Sequence, residues 1–306
     1  MKPTNDLDFM GLRRLAAALS IALVVLSAVS LGVRQLNLGL DFTGGALVEL
    51  RYSEPVDLAA VRTQLADAGF ADARVQYFGT EQDLLIRMAE QFQPSLGDQV
   101  AEVLQANAEG LVQLQRSEYV GAQVGEELRE QGGLALLLAL VVVMGYIAFR
   151  FQYKFAFGAV AALVHDVVVT LGIFSLFQFE FDLTVLAALL ALIGYSLNDT
   201  IVVSDRIREN FRKVRKGSPA EVINLSLNQT IERTLITSLT TLLVLLALFF
   251  FGGETIHHFA LALIIGVVVG TYSSIYVASN LLLTMGIARE DLLVPVKEGA
   301  ELDDRP

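Results

Sequence analysis

The 306-residue sequence has no cysteine, no tryptophan, 6 prolines and 3 histidines, and only 18% of its residues are charged. Without cysteine there can be no disulfide, thiol nucleophile or thiolate metal site. Without tryptophan, any aromatic belt at a membrane interface must use Tyr and Phe. The few histidines do not combine with carboxylates at metal-ligand spacing. No catalytic centre, metal or cofactor is therefore expected.

Scarce charge leaves room for apolar runs. Hydrophobic residues make up 54% of the chain, and the mean hydropathy is +0.56. Six segments read as transmembrane helices, at approximately 13–33, 132–150, 157–177, 183–204, 230–251 and 258–284. The first is too long for a signal-peptide core and runs into LGVRQLNLG, which predicts a retained anchor. Lys2, Arg13 and Arg14 precede it, and Arg150 and Lys154 separate the second and third spans. Arg206, Arg208, Arg212, Lys213, Arg215 and Lys216 crowd the link between the fourth and fifth, while QFEFD and GGETI carry no Lys or Arg. The positive-inside rule then predicts that both termini are cytoplasmic, at 1–12 and 285–306. In a bacterium, 34–131 would lie outside the inner membrane, with lipid around 132–284. The acidic tail is expected to be disordered.

Residues 34–131 predict a small folded domain. Strands are expected at 46–52, 73–79, 83–89 and 111–121, and helices at 57–69 and 95–107. The order β-α-β-β-α-β predicts an α+β ferredoxin-like sheet with its helices on one face. The region holds 7 Arg against 16 Asp or Glu, which argues against nucleic acid as a partner. GLDFTGG (39–45) joins it to the first span. Gly39, Gly44 and Gly45 predict a hinge or bracing loop, and Asp41 a cap or brace for the turn. No Lys-Ser/Thr follows these glycines, so the segment is a poor phosphate loop.

Two ionisable residues stand deep in apolar spans. Asp199 is 16 residues into the fourth span, ~24 Å below its outer edge. Arg233 is 18 residues before the outer end of the fifth, ~27 Å below the same edge. Their matching depth predicts that they meet if the helices are neighbours. Such charges must pair, line a wet path or titrate. An Asp approached and left by an always-charged Arg suits proton relay; a static ion pair is the other reading. Asn198 and Thr200 flank Asp199. Thr230, Thr234, Thr237 and Thr241 share a face beside Arg233, suiting interhelical bonds or a file of water.

His165 and Asp166, ~18 Å below the outer side, form a second polar point that fits either a relay or helix contacts. As sequence neighbours they are expected to point to different sides of their helix. Asp205 reads as a marker of the cytoplasmic exit of the fourth span. Gly194, Gly266 and Gly270 predict close helix contact.

The motifs GLDFTGG (39–45), HDVVVTLGIFSL (165–176), ALIGYSLNDTIVVSDRIREN (191–210), NQTIERTLITSLTTLL (228–243) and GVVVGTYSSIYVA (266–278) resemble the SecD–SecF protein-export family, on its SecF side. The resemblance covers about residues 10–285. It implies an RND-like module of six transmembrane helices with an extracytoplasmic domain between helices one and two. It also implies a proton-motive role in late protein translocation, with SecD, the SecYEG channel, YajC, YidC and unfolded preproteins as partners. By motif position Asp199 matches the family's proton-linked carboxylate and Arg233 its span-five arginine. Ser204 departs from the Phe common there. A small-molecule efflux component of the broader RND type and a non-titrating membrane scaffold are the alternatives.

Overall fold

The structure, a computed structural model, describes residues 7–88, 95–108, 110–150, 152–288 and 291. The acidic tail from 292, and residue 89 at the end of a predicted strand, lie outside the described residues. Among the described residues, six helices have the length and hydropathy to cross a membrane: α1 (Arg13–Val33), α5 (Ala122–Arg150), α6 (Tyr153–Phe177), α7 (Leu183–Lys213), α8 (Pro219–Phe251) and α9 (Glu254–Thr284).

Several of these helices outrun the apolar segments that announce them. α5 starts at Ala122 rather than 132, α7 continues to Lys213, and α8 begins at Pro219 rather than 230. Their polar extensions hold by ordinary helix chemistry. Arg206 and Lys213 both pair with Glu209 at i, i+3 and i, i+4 spacing. Ser218 and Glu221 form a capping box in front of Pro219. At the outer end of α7, Asp182 accepts the Val185 amide.

Within the membrane module, α7 and α9 pack together, with α6 and α8 against α9 and α1 against α6. Over their apolar stretches α6 and α7 are 56% buried, whereas α5 and α8 are 11% and 17% buried. The outer faces of α5 and α8 are therefore left for lipid or another chain.

The outer domain is the expected ferredoxin-like unit. It comprises β2 (Gly45–Tyr52), α3 (Leu58–Asp67), β3 (Arg74–Phe78), β4 (Thr80–Met88), α4 (Leu96–Gln105) and β5 (Val112–Val120). The antiparallel sheet has the order β3-β4-β2-β5. Alternation sends Val48, Leu50, Leu84 and Ile86 to one face, where Val61 and Leu65 of α3 and Val100 and Leu104 of α4 bury them completely. The opposite face turns Leu47 and Leu85 toward Leu40.

That leucine belongs to a junction built from two matching turns. α1 and α6 each end at a glutamine with φ 56°, Gln35 and Gln178. A two-residue strand follows each, β1 (Asn37–Leu38) and β6 (Glu180–Phe181), and the two pair in parallel. A helix then starts after each strand: α7 at Leu183, and the one-turn α2 (Leu40–Thr43) at Leu40.

One ion pair stitches the outer sheet. Arg51 Nε donates to Asp83 Oδ1 at 2.6 Å across the β2–β4 ladder, and Thr80 donates to Oδ2 at 2.7 Å. The bond from Arg51, then that from Thr80, hold the buried Asp83 carboxyl below the usual carboxylate range against the opposing effect of burial. A depressed folded value means that this stabilisation is complete above the unfolded Asp pKa, ~3.9, and is lost as pH falls through the folded value. Asp83→Asn is thus expected to speed hydrogen exchange in β2 and β4 at pH 7, with the difference from the parent shrinking below about pH 4. Equal protection in the two proteins at pH 7 would show that the pair contributes nothing.

Candidate proton-coupling site

α7 and α8 are antiparallel neighbours joined by polar ties on either side of Asp199. Toward the outer side Tyr195 donates to Ser238 Oγ at 3.4 Å, and Ser238 bonds Thr271 of α9 at 2.7 Å. Toward the C-terminal end of α7 Asn210 donates to Ser226 at 2.9 Å and to Gln229 at 2.8 Å. This register sets Asp199 level with Arg233 and Thr234. Asp199 is 4% exposed, Thr200 and Thr234 are each 1% exposed, and Asp199 Oδ2 and Thr234 Oγ1 are buried with no hydrogen-bond partner.

Arg233 stands within electrostatic range of Asp199. No ion pair of 4 Å or less joins them among the described residues, and Arg233 lies on the exposed side of α8. Its neighbours on that side include Leu235, Ile236, Leu239 and Leu243, each more than half exposed. The helices thus meet at the expected depth, while the arginine faces outward from this chain.

The threonine stripe behaves differently from the interhelical file expected of it. Thr230, Thr237 and Thr241 each donate to a carbonyl four residues back in their own helix. A threonine in lipid reaches its own backbone first, because that acceptor lies within one turn. The interhelical work falls to Ser238, which the stripe does not include. Asn198 and Gly194 also turn to the exposed side of α7, and Asp205 is half-buried in its C-terminal part.

His165 and Asp166 depart from expectation in the opposite direction. Adjacent helix positions are about 100° apart, yet these short side chains fold toward each other, with Nδ1 3.0 Å from Asp166 Oδ1. Ser196 of α7 and Ser273 of α9 donate to Asp166 Oδ2 at 2.5 and 2.8 Å. Neither serine stands out in the sequence. The only hint was their place among the glycines and serines of the polar spans. Gly270 and Gly266 admit this contact: a Cβ at Gly270 would lie 3.3 Å from Ser196, and one at Gly266 2.5 Å from Leu192.

The loop 39–45 is clamped to α7 and α5. Gly39 donates to Phe181 O at 2.8 Å, and Asp41 Oδ2 accepts the Leu183 amide at 3.0 Å, capping α7 from another part of the chain. Phe42 stacks on Phe181 and packs among Val185, Leu186 and Leu189 of α7. Arg87 of β4 forms an ion pair with Glu180 of β6. Gly44 has φ 67° and ψ 177°, and a Cβ there would come 2.6 Å from Ala122 Cα. Gly45 also has positive φ.

These features define a multi-pass membrane protein with a ferredoxin-like domain inserted on its outer side and a buried carboxylate level with an arginine. Known proteins share this fold. A family model described as "Protein export membrane protein SecD/SecF, C-terminal" matches residues 99–288, and one described as "SecD/SecF GG Motif" matches 29–56. The protein translocase subunit SecF of Pseudomonas aeruginosa is 52% identical over 99% of this chain and 98% of its own. That of Vibrio alginolyticus is 49% identical over 100% and 99%. The crystal structure of SecDF, a translocon-associated membrane protein from Thermus thermophilus, superposes with a TM-score of 0.84 at 38% identity over 93% of this chain. SecDF in a super-membrane-facing form gives 0.69 at 39% identity over 92%. This chain spans 39% of the length of each SecDF chain. The chain belongs to the SecD/SecF family of protein export membrane proteins.

Replacing Gly44 tests the clamp. Its φ and ψ fall in a region open essentially to glycine alone, and the added methyl meets the α5 backbone. Gly44→Ala is expected to cost about 1–3 kcal/mol locally. Hydrogen exchange at 42–46 and in the first turn of α5 should rise, and unaltered exchange there would contradict the packing described.

Proposed function

We propose that this chain acts as a SecF-type subunit that uses the proton-motive force to assist protein translocation on the outer side of the membrane. The observation that carries the reading is the buried, unpartnered Asp199 Oδ2 level with Arg233. A carboxylate in that position is costly unless it pairs or takes a proton, and the permanently charged arginine biases which it does. The positive-inside pattern supports cytoplasmic termini and an outer position for the acidic domain. Asp199→Asn is expected to abolish the gradient-dependent part of preprotein export in reconstituted vesicles while leaving assembly intact. Export that still responds fully to the gradient would sink the relay.

Arg233 also supports a partner. An arginine facing lipid costs about 2.5–3.5 kcal/mol on insertion scales at the bilayer centre and less toward its edge, where Arg233 stands. On this reading the exposed side of α8 is covered by SecD, which supplies the other half of the module beside the SecYEG channel. YajC, YidC and unfolded preproteins complete the proposed set of partners. Single cysteines at Leu239 and Leu243, in a chain that has none of its own, should crosslink to SecD at high yield. Labelling by lipid-phase reagents in the assembled complex, with no crosslink formed, would reject this face.

The clamp on α7 suggests how a proton event at Asp199 is felt by the outer domain. The outer domain follows the helix that carries Asp199, because Asp41, Phe42, Gly39 and Arg87 hold it to that helix's outer end. One charge moved through 100 mV supplies only ~2.3 kcal/mol, so each stroke is small or uses several protons.

A further inference from the structure

We propose that His165 and Asp166 hold a second exchangeable proton in the membrane module, positioned by Ser196 and Ser273. The proposal rests on the proton-coupled reading of Asp199 and extends it to a site where α6, α7 and α9 meet.

The Asp166 carboxylate is fully buried where α6, α7 and α9 meet. Both of its oxygens are engaged: Oδ1 by His165 Nδ1, and Oδ2 by the hydroxyls of Ser196 and Ser273. With Asp166 ionised, His165 donates its Nδ1 proton. Its Nε2 is then an acceptor that is buried and has no partner. That vacant nitrogen is a second place for a proton beside the carboxylate.

Three donors converge on the Asp166 carboxylate, and one added proton removes the net charge of −1 of the ionised dyad. The loaded state is either a carboxylic acid beside neutral imidazole or a carboxylate beside imidazolium. Loading forms one O–H or N–H bond, breaks the equivalent bond in the donor, and oxidises nothing. A tie between three helices alone would need neither titratable group.

The serines are arranged for the change. Ser273 has a second acceptor in reach, Gly270 O at 3.1 Å, so its hydrogen can leave Asp166 when the carboxyl becomes a donor. Ser196 lies three residues before Asp199 on one face of α7, and both are buried. Side chains so spaced have Cβ atoms about 5–6 Å apart, a gap one water spans. The site therefore lies about one turn farther out than Asp199, as a step on a proton's way between Asp199 and the outer side.

Few other ionisable groups surround it. α9 presents Tyr272, whose ring centre is 6.2 Å from that of His165 and whose hydroxyl is occupied by Ser20 and Ala16 O. α7 contributes Tyr195 and Asp199, and α8 contributes Arg233 beside Asp199. Between Arg14 and Arg34 of α1, and from Gly132 to Gly145 of α5, the sequence has no ionisable side chain.

The test uses the assembled export complex in vesicles, with gradient-driven export measured against outer pH for Asp166→Asn, His165→Gln, Ser196→Ala, Ser273→Ala and Asp199→Asn. Loss of either serine removes a donor to the ionised carboxyl and should displace the midpoint of the pH profile from the parental one. Asp166→Asn and His165→Gln should remove that limb of the profile. If Asp199→Asn abolishes gradient dependence while both serine variants keep the parental midpoint, the second site is wrong and the first stands. If Asp199→Asn itself exports normally, the underlying reading fails. Should Asp166→Asn fail to accumulate, the serine midpoints decide alone.

Discussion

A hydroxyl, amide or carboxylate inside hydrocarbon has no water to turn to, and its bond must come from the protein. The membrane module is organised by that requirement. α1 meets α6 through Ser30 and Ser175, and α9 through Ser20 and Tyr272. α8 meets α9 through Ser238 and Thr271, and α7 meets α8 through Asn210 and Ser226. Apolar packing alone distinguishes poorly between one helix rotation and another when lipid is equally apolar. Paired hydroxyls and amides specify the rotation, and small residues such as Gly172, Gly266 and Gly270 let the helices come close enough for the bonds to form.

Within that lattice Asp199 Oδ2, Thr234 Oγ1 and His165 Nε2 are buried without partners beside the ionisable residues, where a proton or water has something to bind. Gln152 Oε1, Arg208 Nε and Ser279 Oγ are buried without partners elsewhere in the module. Each such atom weakens the fold unless something binds it.

The spans, their depth and the outer ferredoxin-like unit were legible because hydropathy and strand alternation are local properties. Asp199 and Arg233 stood out because charge is rare in an apolar run, and the helix rise alone brought them to one level. What the sequence withheld depends on rotation about a helix axis. Arg233 turned outward, Asn198 turned away from Asp199, and the threonines closed on their own backbone. Ser196 and Ser273 look like ordinary small residues until three helices converge on Asp166. Helix ends were also hidden, since hydropathy stops where charge begins, whereas Glu209 and Glu221 carry the helices onward. The short paired strands 37–38 and 180–181 were invisible because two residues leave no periodicity to read.

The matching turns after α1 and α6 recast the outer domain's place in the chain. After α6 the turn leads into α7, a helix that crosses the membrane. After α1 the same turn leads into α2, which stops after one turn at Gly44, against the start of α5. α2 and α5 are in effect two pieces of one interrupted helix, and residues 44–121 are cargo spliced into its first turn. The strand that leaves and the strand that returns, β2 and β5, lie side by side, with Gly45 opposite Val120. A module mounted at such a point can be enlarged, exchanged or removed by changing what lies between two adjoining backbone ends. The bundle beneath would keep its helix order, its turns and its buried polar contacts.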